Sequence, residues 1–348
     1  MVEKMFVNTQ SGRYPVVVGE NLNFGKLALD VKKPCRVVVV SDDKVFPLYG
    51  DAVIKSFVES GYKVSGYIVD NGESSKRMDV VTRLLRFLVD QSITRQDILV
   101  ALGGGVVGDI TGFVAAIYLR GIGFMQLPTT VLAAVDSSVG GKTGVDLPEG
   151  KNLVGAFHQP LAVFCDTGTF ATLPKAVYAD GMAEVVKHGM IADKDMLLNL
   201  GELSISEICR RNIAIKAGIV EQDEFDTGTR MLLNFGHTVG HAIEALSEYR
   251  VSHGSAVAIG MTVITRASEK SGLTESACLD ELTKTLERLA LPVSCEYSAK
   301  ELADAALRDK KRSGGTITLV IPKKVGHAEL QEFPVSHLEN FIEIGVNA

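Results

Sequence analysis

The first half of the chain alternates short apolar runs rich in β-branched residues with helical patterns, and this restricts the fold more than any other feature. The succession is "CRVVVVSDD", "AVIKSFVESGY", "KVSGYIVDNG", "VVTRLLRFLVDQS", "DILVALGGG", "VGDITGFVAAIYLRG" and "GFMQLPTT". Such a series is the βαβ pattern of a parallel sheet covered by helices on both faces. The opening "MFVNTQSGRYPVVVGE" reads as a hairpin laid beside that sheet. After "LAVFCDT", near residue 170, strand signals thin out and helical stretches continue to the C-terminus, with "GTITLVIPKKVG" as a short hairpin among them. The pattern predicts an α/β, Rossmann-like nucleotide-binding domain over residues 1–172 and a mostly α-helical domain over 173–348. A chain of 348 residues with 46% hydrophobic and 22% charged residues can bury two such cores.

Charge and cysteine usage remove several classes of partner. The net charge is −6 and there is no basic tract, so neither nucleic acid nor a membrane surface is expected to bind. Cys35, Cys165, Cys209, Cys278 and Cys295 are scattered, odd in number and without a CxxC pair, which indicates neither a disulfide framework nor a cysteine-zinc site and fits a reducing cytoplasm. "MVEKMFVNTQ" has no apolar signal core and there is no 18-residue uncharged apolar run, so neither secretion nor membrane insertion is expected.

Gly103, Gly105 and Gly108 in "DILVALGGGVVGD" form a GxGxxG directly after a strand and open a helix, where backbone N–H groups can face a pyrophosphate. A tight strand-to-helix turn would need the same small residues. About 20 residues on, where a ribose-binding acid is usual, stands Arg120. Asp42 and Asp43 close the "RVVVV" strand at the edge where ligands of open α/β sheets collect; the alternative for them is a helix cap. Residues 128–160 mix Gly, Ser and Asp with apolar residues and carry few charges, the composition of a buried functional loop. Within it, Lys142 and Lys151 have glycines nearby, so a phosphate could approach both backbone and ammonium; otherwise they are surface lysines.

In "RMLLNFGHTVGH", Arg230, Asn234, His237 and His241 follow at steps of 4, 3 and 4, so they form one polar stripe if the segment is a single helix. Asp180, Glu184 and Lys187 repeat the spacing of 4 and 3 in "YADGMAEVVKHG", and His253 precedes an apolar helix in "SHGSAVAIGM". Two histidines and one carboxylate suit a catalytic zinc that keeps positions open. Glu184, His237 and His253 meet that requirement, although spacing does not choose between His237 and His241.

The series "GGGVVGD", "RGIGFMQLPTTVLAAVDSSVGGKTGVD", "GKNLVGAFHQP", "GMAEVVKHG", "LLNFGHTVGHAIE", "SHGSAVAIGM" and "RDKKR", in this order, resembles the 3-dehydroquinate synthase family of sugar-phosphate cyclases over nearly the whole chain. The resemblance implies that Glu184, His237 and His253 bind the metal, normally Zn2+ with Co2+ as a substitute, while His241 hydrogen-bonds substrate and assists proton movement. It implies a substrate pocket lined by Arg120, Lys142, Lys187, Lys216, Arg230 and Lys310 with Asn152 and Asn234. For NAD it implies Asp42, Glu73, Lys76, Gly104, Gly105, Asp109, Thr129, Thr130, Asp136, Lys142 and Lys151. It also implies a homodimer.

The family reaction turns 3-deoxy-D-arabino-heptulosonate 7-phosphate into 3-dehydroquinate in the shikimate pathway to aromatic amino acids. Oxidation at C5 acidifies the C6 proton, phosphate leaves, C5 is reduced again, the ring opens and an aldol closure follows, so NAD is regenerated in each turnover. Rival readings are another sugar-phosphate cyclase, a metal-dependent polyol dehydrogenase of the glycerol dehydrogenase type, and a non-catalytic NAD-binding protein. Lys216, Asn234 and Lys310 together favour the dehydroquinate reading over other cyclases. A dehydrogenase gives no reason for so many cations, and a binding protein none for the metal ligands.

Overall fold

The computed structural model describes residues 2–310 and 315–346, the side chains of 308–310 excepted. The chain divides into two compact units, Met1–Leu173 with Lys216–Phe225, and Pro174–Ile215 with Asp226–Ala348. The return of Lys216–Phe225 to the first unit has no counterpart in the sequence pattern, which shows only helix there.

The first unit contains β1 (Glu3–Thr9), β2 (Gly12–Gly19), β3 (Arg36–Asp42), β4 (Lys63–Val69), β5 (Ile98–Gly103), β6 (Gly123–Pro128), β7 (Lys142–Leu147), β8 (Gly150–Phe157) and β9 (Ala162–Asp166). Among the described residues, seven of these form one sheet in the order β1-β2-β9-β6-β5-β3-β4, parallel except for the β1–β2 hairpin. Helices α1 (Phe24–Leu29), α2 (Asp51–Glu59), α3 (Met78–Asp90) and α4 (Gly105–Ile117) cover it. Val37 and Val39 of β3 pack with Ala28 of α1 and with Val53 and Phe57 of α2. Val38 and Val40 pack with Leu84 and Leu88 of α3 and with Ile110 and Val114 of α4. This two-sided burial is why the strand reads as an unbroken apolar run. The stretch 128–160, expected as a loop, contains a helical turn at Ala133–Ser137 and the antiparallel hairpin of β7 and β8.

Asp97 holds the entry to β5. Its carboxylate accepts hydrogen bonds from Arg36 N at 2.8 Å, Thr94 N at 2.7 Å and Thr94 Oγ1 at 2.8 Å. Burial opposes its charge, but the hydrogen bonds from Thr94 and Arg36 prevail and hold the carboxyl below its usual range. Asp97→Asn, which turns an amide NH2 towards these donors, is expected to cost about 2–3 kcal/mol at neutral pH. Because the folded carboxyl is the stronger acid, its contribution is complete above the ordinary carboxylate pKa and is lost as pH falls through the folded value. The deficit of the variant, followed by urea unfolding between pH 7 and pH 3, should therefore shrink towards acid; a pH-independent deficit refutes the assignment.

The second unit contains α5 (Lys175–Ala192), α6 (Lys194–Leu198), the first part of α7 (Ile205–Gln222), α8 (His237–Leu246), α9 (His253–Lys270), α10 (Cys278–Arg288), α11 (Ala299–Lys310), the antiparallel hairpin of β10 (Thr316–Lys324) and β11 (His327–Pro334), and α12 (Leu338–Val346). α9 is the central helix, packed against α5, α8, α10 and α12. It approaches α8 at Gly260, where a Cβ would stand 2.0 Å from Gly236 O and 2.9 Å from Gly240 N. Its first turn rests on α5: a Cβ on Gly254 would lie 2.0 Å from Asp180 O, and Asp180 Oδ1 accepts from Ser255 N at 3.1 Å. Asp180 thus anchors the start of α9. No helix among the described residues is long and apolar enough to cross a membrane.

Candidate functional site

The segment expected as one polar helical stripe is two elements. Thr229–Asn234 is a 3₁₀ turn, Gly236 is left-handed at φ 80°, and α8 begins at His237. With three residues per turn, Arg230 and Asn234 do not share a face, so the four-residue stripe is broken. Arg230 is buried and Asn234 is exposed. His237 and His241 remain one turn apart on α8, with ring centroids 5.3 Å apart.

Around the start of α8, three elements of the second unit converge. Glu184, His237 and His253, from α5, α8 and α9, each offer one donor atom, and these lie within 4.8 Å of one another. Glu184 Oε1 is 3.6 Å from His237 Nε2 and 3.4 Å from His253 Nε2. A tetrahedral ion with bonds of about 2.0–2.1 Å separates its ligand atoms by about 3.3–3.4 Å, so these distances fit a shared ion. The opposite ring nitrogens are tied back, His237 Nδ1 to Phe235 O at 3.2 Å and His253 Nδ1 to Glu244 Oε2 at 3.3 Å. Both Nε2 atoms are therefore presented to the same carboxylate oxygen. The donors suit zinc or a similar ion.

Electrostatics within this donor set are uneven. Burial takes His237 down to about 3, against the pull of Glu184 and helped by Lys187. Burial works the same way on His253, but hydrogen bonds to Glu184 and Glu244 prevail and raise it to about 10. Lys187, itself buried, pairs with Glu184 Oε2 on the same face of α5. His241, on the exposed side of α8, forms with Glu244 and His253 a second group whose donor atoms also lie within 4.8 Å. Glu244 was missed by the sequence reading, although it follows His237 by seven and His241 by three residues in "HTVGHAIE", the spacing of one helical face.

In the first unit, Gly104 caps α4 and Gly105 is its first residue, directly after β5. Thr129 N donates to Gly103 O at 3.0 Å, which brings the end of β6 beside this turn. The Thr129 hydroxyl is buried without a hydrogen-bond partner among the described residues, and Thr130 Oγ1 accepts from Ala133 N. Lys76 joins Asp109 of α4 at 2.6 Å and Asn152 Oδ1 at 2.5 Å. Burial disfavours the Lys76 ammonium, but Asp109 and then Glu73 more than offset it and hold its pKa above the ordinary value. Burial raises the pKa of the Asp109 carboxyl, against the opposing pull of the Lys76 ammonium 2.6 Å away. Asn152 has φ 55°, and its N–H donates to Asp146 Oδ1 at 2.7 Å, so Asp146, another residue missed in the sequence, fixes this turn. Lys151 lies 3.5 Å from Glu73, and Lys216 binds Asp136 through both its side chain and its carbonyl oxygen.

Ser41 pairs with Leu102 in the sheet, so the next residue, Asp42, ends β3 beside the glycine turn. Its Oδ1 accepts from Lys44 N and Val45 N, which closes a turn rather than capping a helix, because the next helix starts at Phe46 with Val45 at its cap position and no side-chain cap. Lys142 opens β7 and is exposed. Arg120 belongs with the opposite edge of the sheet from Gly104: α4 runs away from that turn, Arg120 precedes β6, and Leu119 O accepts from Arg95, just before β5. The first unit therefore does not bring Arg120 to Lys76, Asp109 and Asn152. Lys310 ends α11, and its side chain lies outside the described residues, as do residues 311 and 312 of "RDKKR".

Family models for the N-terminal and C-terminal parts of 3-dehydroquinate synthase match residues 66–180 and 181–312. The 3-dehydroquinate synthase of Streptococcus suis is 40% identical over 98% of this chain and 100% of the relative. The structure of 2-epi-5-epi-valiolone synthase from Streptomyces hygroscopicus, with NAD+ and Zn2+ bound, superimposes with a TM-score of 0.86 at 25% identity, covering 94% of this chain and 95% of that one. A 2-deoxy-scyllo-inosose synthase complexed with carbaglucose-6-phosphate, NAD+ and Co2+ shares the fold, with a TM-score of 0.87 at 23% identity over 98% and 99% of the chains.

Proposed function

The chain belongs to the 3-dehydroquinate synthase family, and from that premise we propose that it converts 3-deoxy-D-arabino-heptulosonate 7-phosphate to 3-dehydroquinate and phosphate. The observation that carries this reading is the donor set of buried Glu184 and partly buried His237 and His253, with the Lys187 ammonium built against it. These three residues would hold Zn2+, or Co2+ in its place. NAD would lie at the Gly104–Gly105 turn, with Asp42, Glu73, Lys76, Asp109, Thr129, Thr130, Asp136, Lys142 and Lys151 as its neighbours. When bound, NAD supplies a reversible hydride acceptor and the metal a Lewis acid for the oxygens of the reacting polyol.

The protein's own groups do the rest. Lys187 and Arg230 are buried cations within a chain of net charge −6, suited to a ligand bearing carboxylate and phosphate groups. Lys142, Lys216 and Lys310 add positive charge in this reading, and Asn152 and Asn234 add amide groups that orient hydroxyls. Lys216 starts out bound to Asp136, so a substrate anion must compete with that carboxylate. His241, exposed beside the donor set, is placed to hold or pass a proton. A cytoplasmic homodimer is the assembly that the family resemblance and the scattered cysteines support.

The test mixes the zinc-loaded protein, the heptulosonate phosphate and NAD at a small fraction of the substrate concentration, and follows phosphate and NADH together. Phosphate release is expected to run through many equivalents of NAD while NADH stays near baseline. A dehydrogenase would stop after one equivalent with NADH at its maximum, and a binding protein would release no phosphate; either outcome overturns the proposal.

A further inference from the structure

We propose that Glu244 is a positioning residue of the metal centre, holding His253 by its Nδ1–H so that Nε2 faces the ion. The inference rests on reading Glu184, His237 and His253 as the ligands. Glu244 is buried, and its Oε2 lies 3.3 Å from His253 Nδ1 while His253 Nε2 points to Glu184. A carboxylate at Nδ1 keeps the proton on that nitrogen, leaves the Nε2 lone pair for the metal and raises the basicity of the ring. His237 is held instead by a neutral carbonyl, that of Phe235. The two ligand histidines thus have different supports, and His253 has the charged one.

The end of α8 is built to keep this carboxylate in place. Glu244 O accepts from Ser247 Oγ at 3.0 Å and Tyr249 N at 2.8 Å, bonds that close the C-terminal end of α8 at Leu246. The approach of α8 to α9 at Gly260 fixes the distance between the helix that carries Glu244 and the helix that begins with His253. The competing role is ligation, since His241, Glu244 and His253 could surround a second ion. That role requires His253 to give up both ring protons and bridge two cations, whereas positioning requires only the hydrogen bond already formed.

The experiment titrates zinc against a chromophoric chelator for the wild type, Glu244→Gln, Glu244→Ala and His253→Ala, with cobalt absorption spectra at saturation and NAD binding measured on each. Glu244→Ala is expected to bind zinc about 10–100-fold more weakly than the wild type. Glu244→Gln should fall between, because its amide oxygen still accepts from Nδ1–H. The saturated cobalt band should keep its shape in both, since the ligands are unchanged, and NAD binding should be retained as a sign that the fold survives. Wild-type zinc affinity in both Glu244 variants overturns the proposal. So does binding of two ions by the wild type and one by Glu244→Gln, which would make Glu244 a ligand. If His253→Ala keeps wild-type affinity, or the wild type binds no zinc, the ligand reading itself has failed and this inference falls with it.

Discussion

His253→Ala is expected to strip the protein of nearly all its metal, with affinity falling more than about 100-fold, since loss of a ligand exceeds the 10–100-fold typical of residues that only support one. His237→Ala should do the same, while His241→Ala should keep the metal and lose most of its activity. The comparison is decisive because His253 belongs to both groups of potential ligands, His237 only to the first and His241 only to the second. Metal analysis after dialysis of the three variants reads the result. Loss in the His241 variant with retention in the His237 variant would move the ion to the second group and refute the assignment.

Gly260→Ala is expected to destabilise the protein by about 3 kcal/mol and to weaken metal binding with it. Two effects oppose each other. Replacing a mid-helix glycine by alanine gains about 1 kcal/mol of helix propensity. Against this, the new Cβ would stand 2.0 Å from Gly236 O, a backbone atom that no rotamer change can move away. Relief requires α8 and α9 to separate, which draws His237, at the start of α8, away from its neighbours. Gly218 of α7 is the control: a Cβ there meets nothing within 4 Å, so Gly218→Ala should stabilise by about 1 kcal/mol. Urea unfolding with chelator present separates stability from metal loss. A Gly260→Ala variant as stable as Gly218→Ala would show that the helices are not held at this point.

The sheet was legible because its physics is local. The stretch of a strand buried on both faces reads as an unbroken apolar run, as Val37–Val40 does; a crossover helix must turn one apolar face inward, as α3 does with Val80, Val81, Leu84 and Leu88. The turn after β5 was legible for a related reason, since only small residues let a helix start directly at a strand end. For the metal centre, residue type and spacing supplied the chemistry: two histidines and a carboxylate are a donor set wherever they meet. Spacing did not decide which histidines, because His237 and His241 share a face of α8 and either could turn a nitrogen towards an ion.

Tertiary structure decided the remainder. Gly236 takes a left-handed conformation to pass close to α9, and this breaks the predicted helix between Asn234 and His237. Arg120 stands in the sequence where a ribose-binding acid is usual, yet the length of α4 carries it to the opposite end of the sheet from the glycine turn. Asn152 and Lys76 are far apart in the chain, and Asp146 brings them together through one hydrogen bond to a residue with positive φ. Composition and periodicity report which faces must be buried, because burial acts on each residue through its own side chain. Which buried groups meet depends on where whole helices cross, and that is set by backbone contacts such as Gly260 against Gly236, between residues that are not neighbours in sequence.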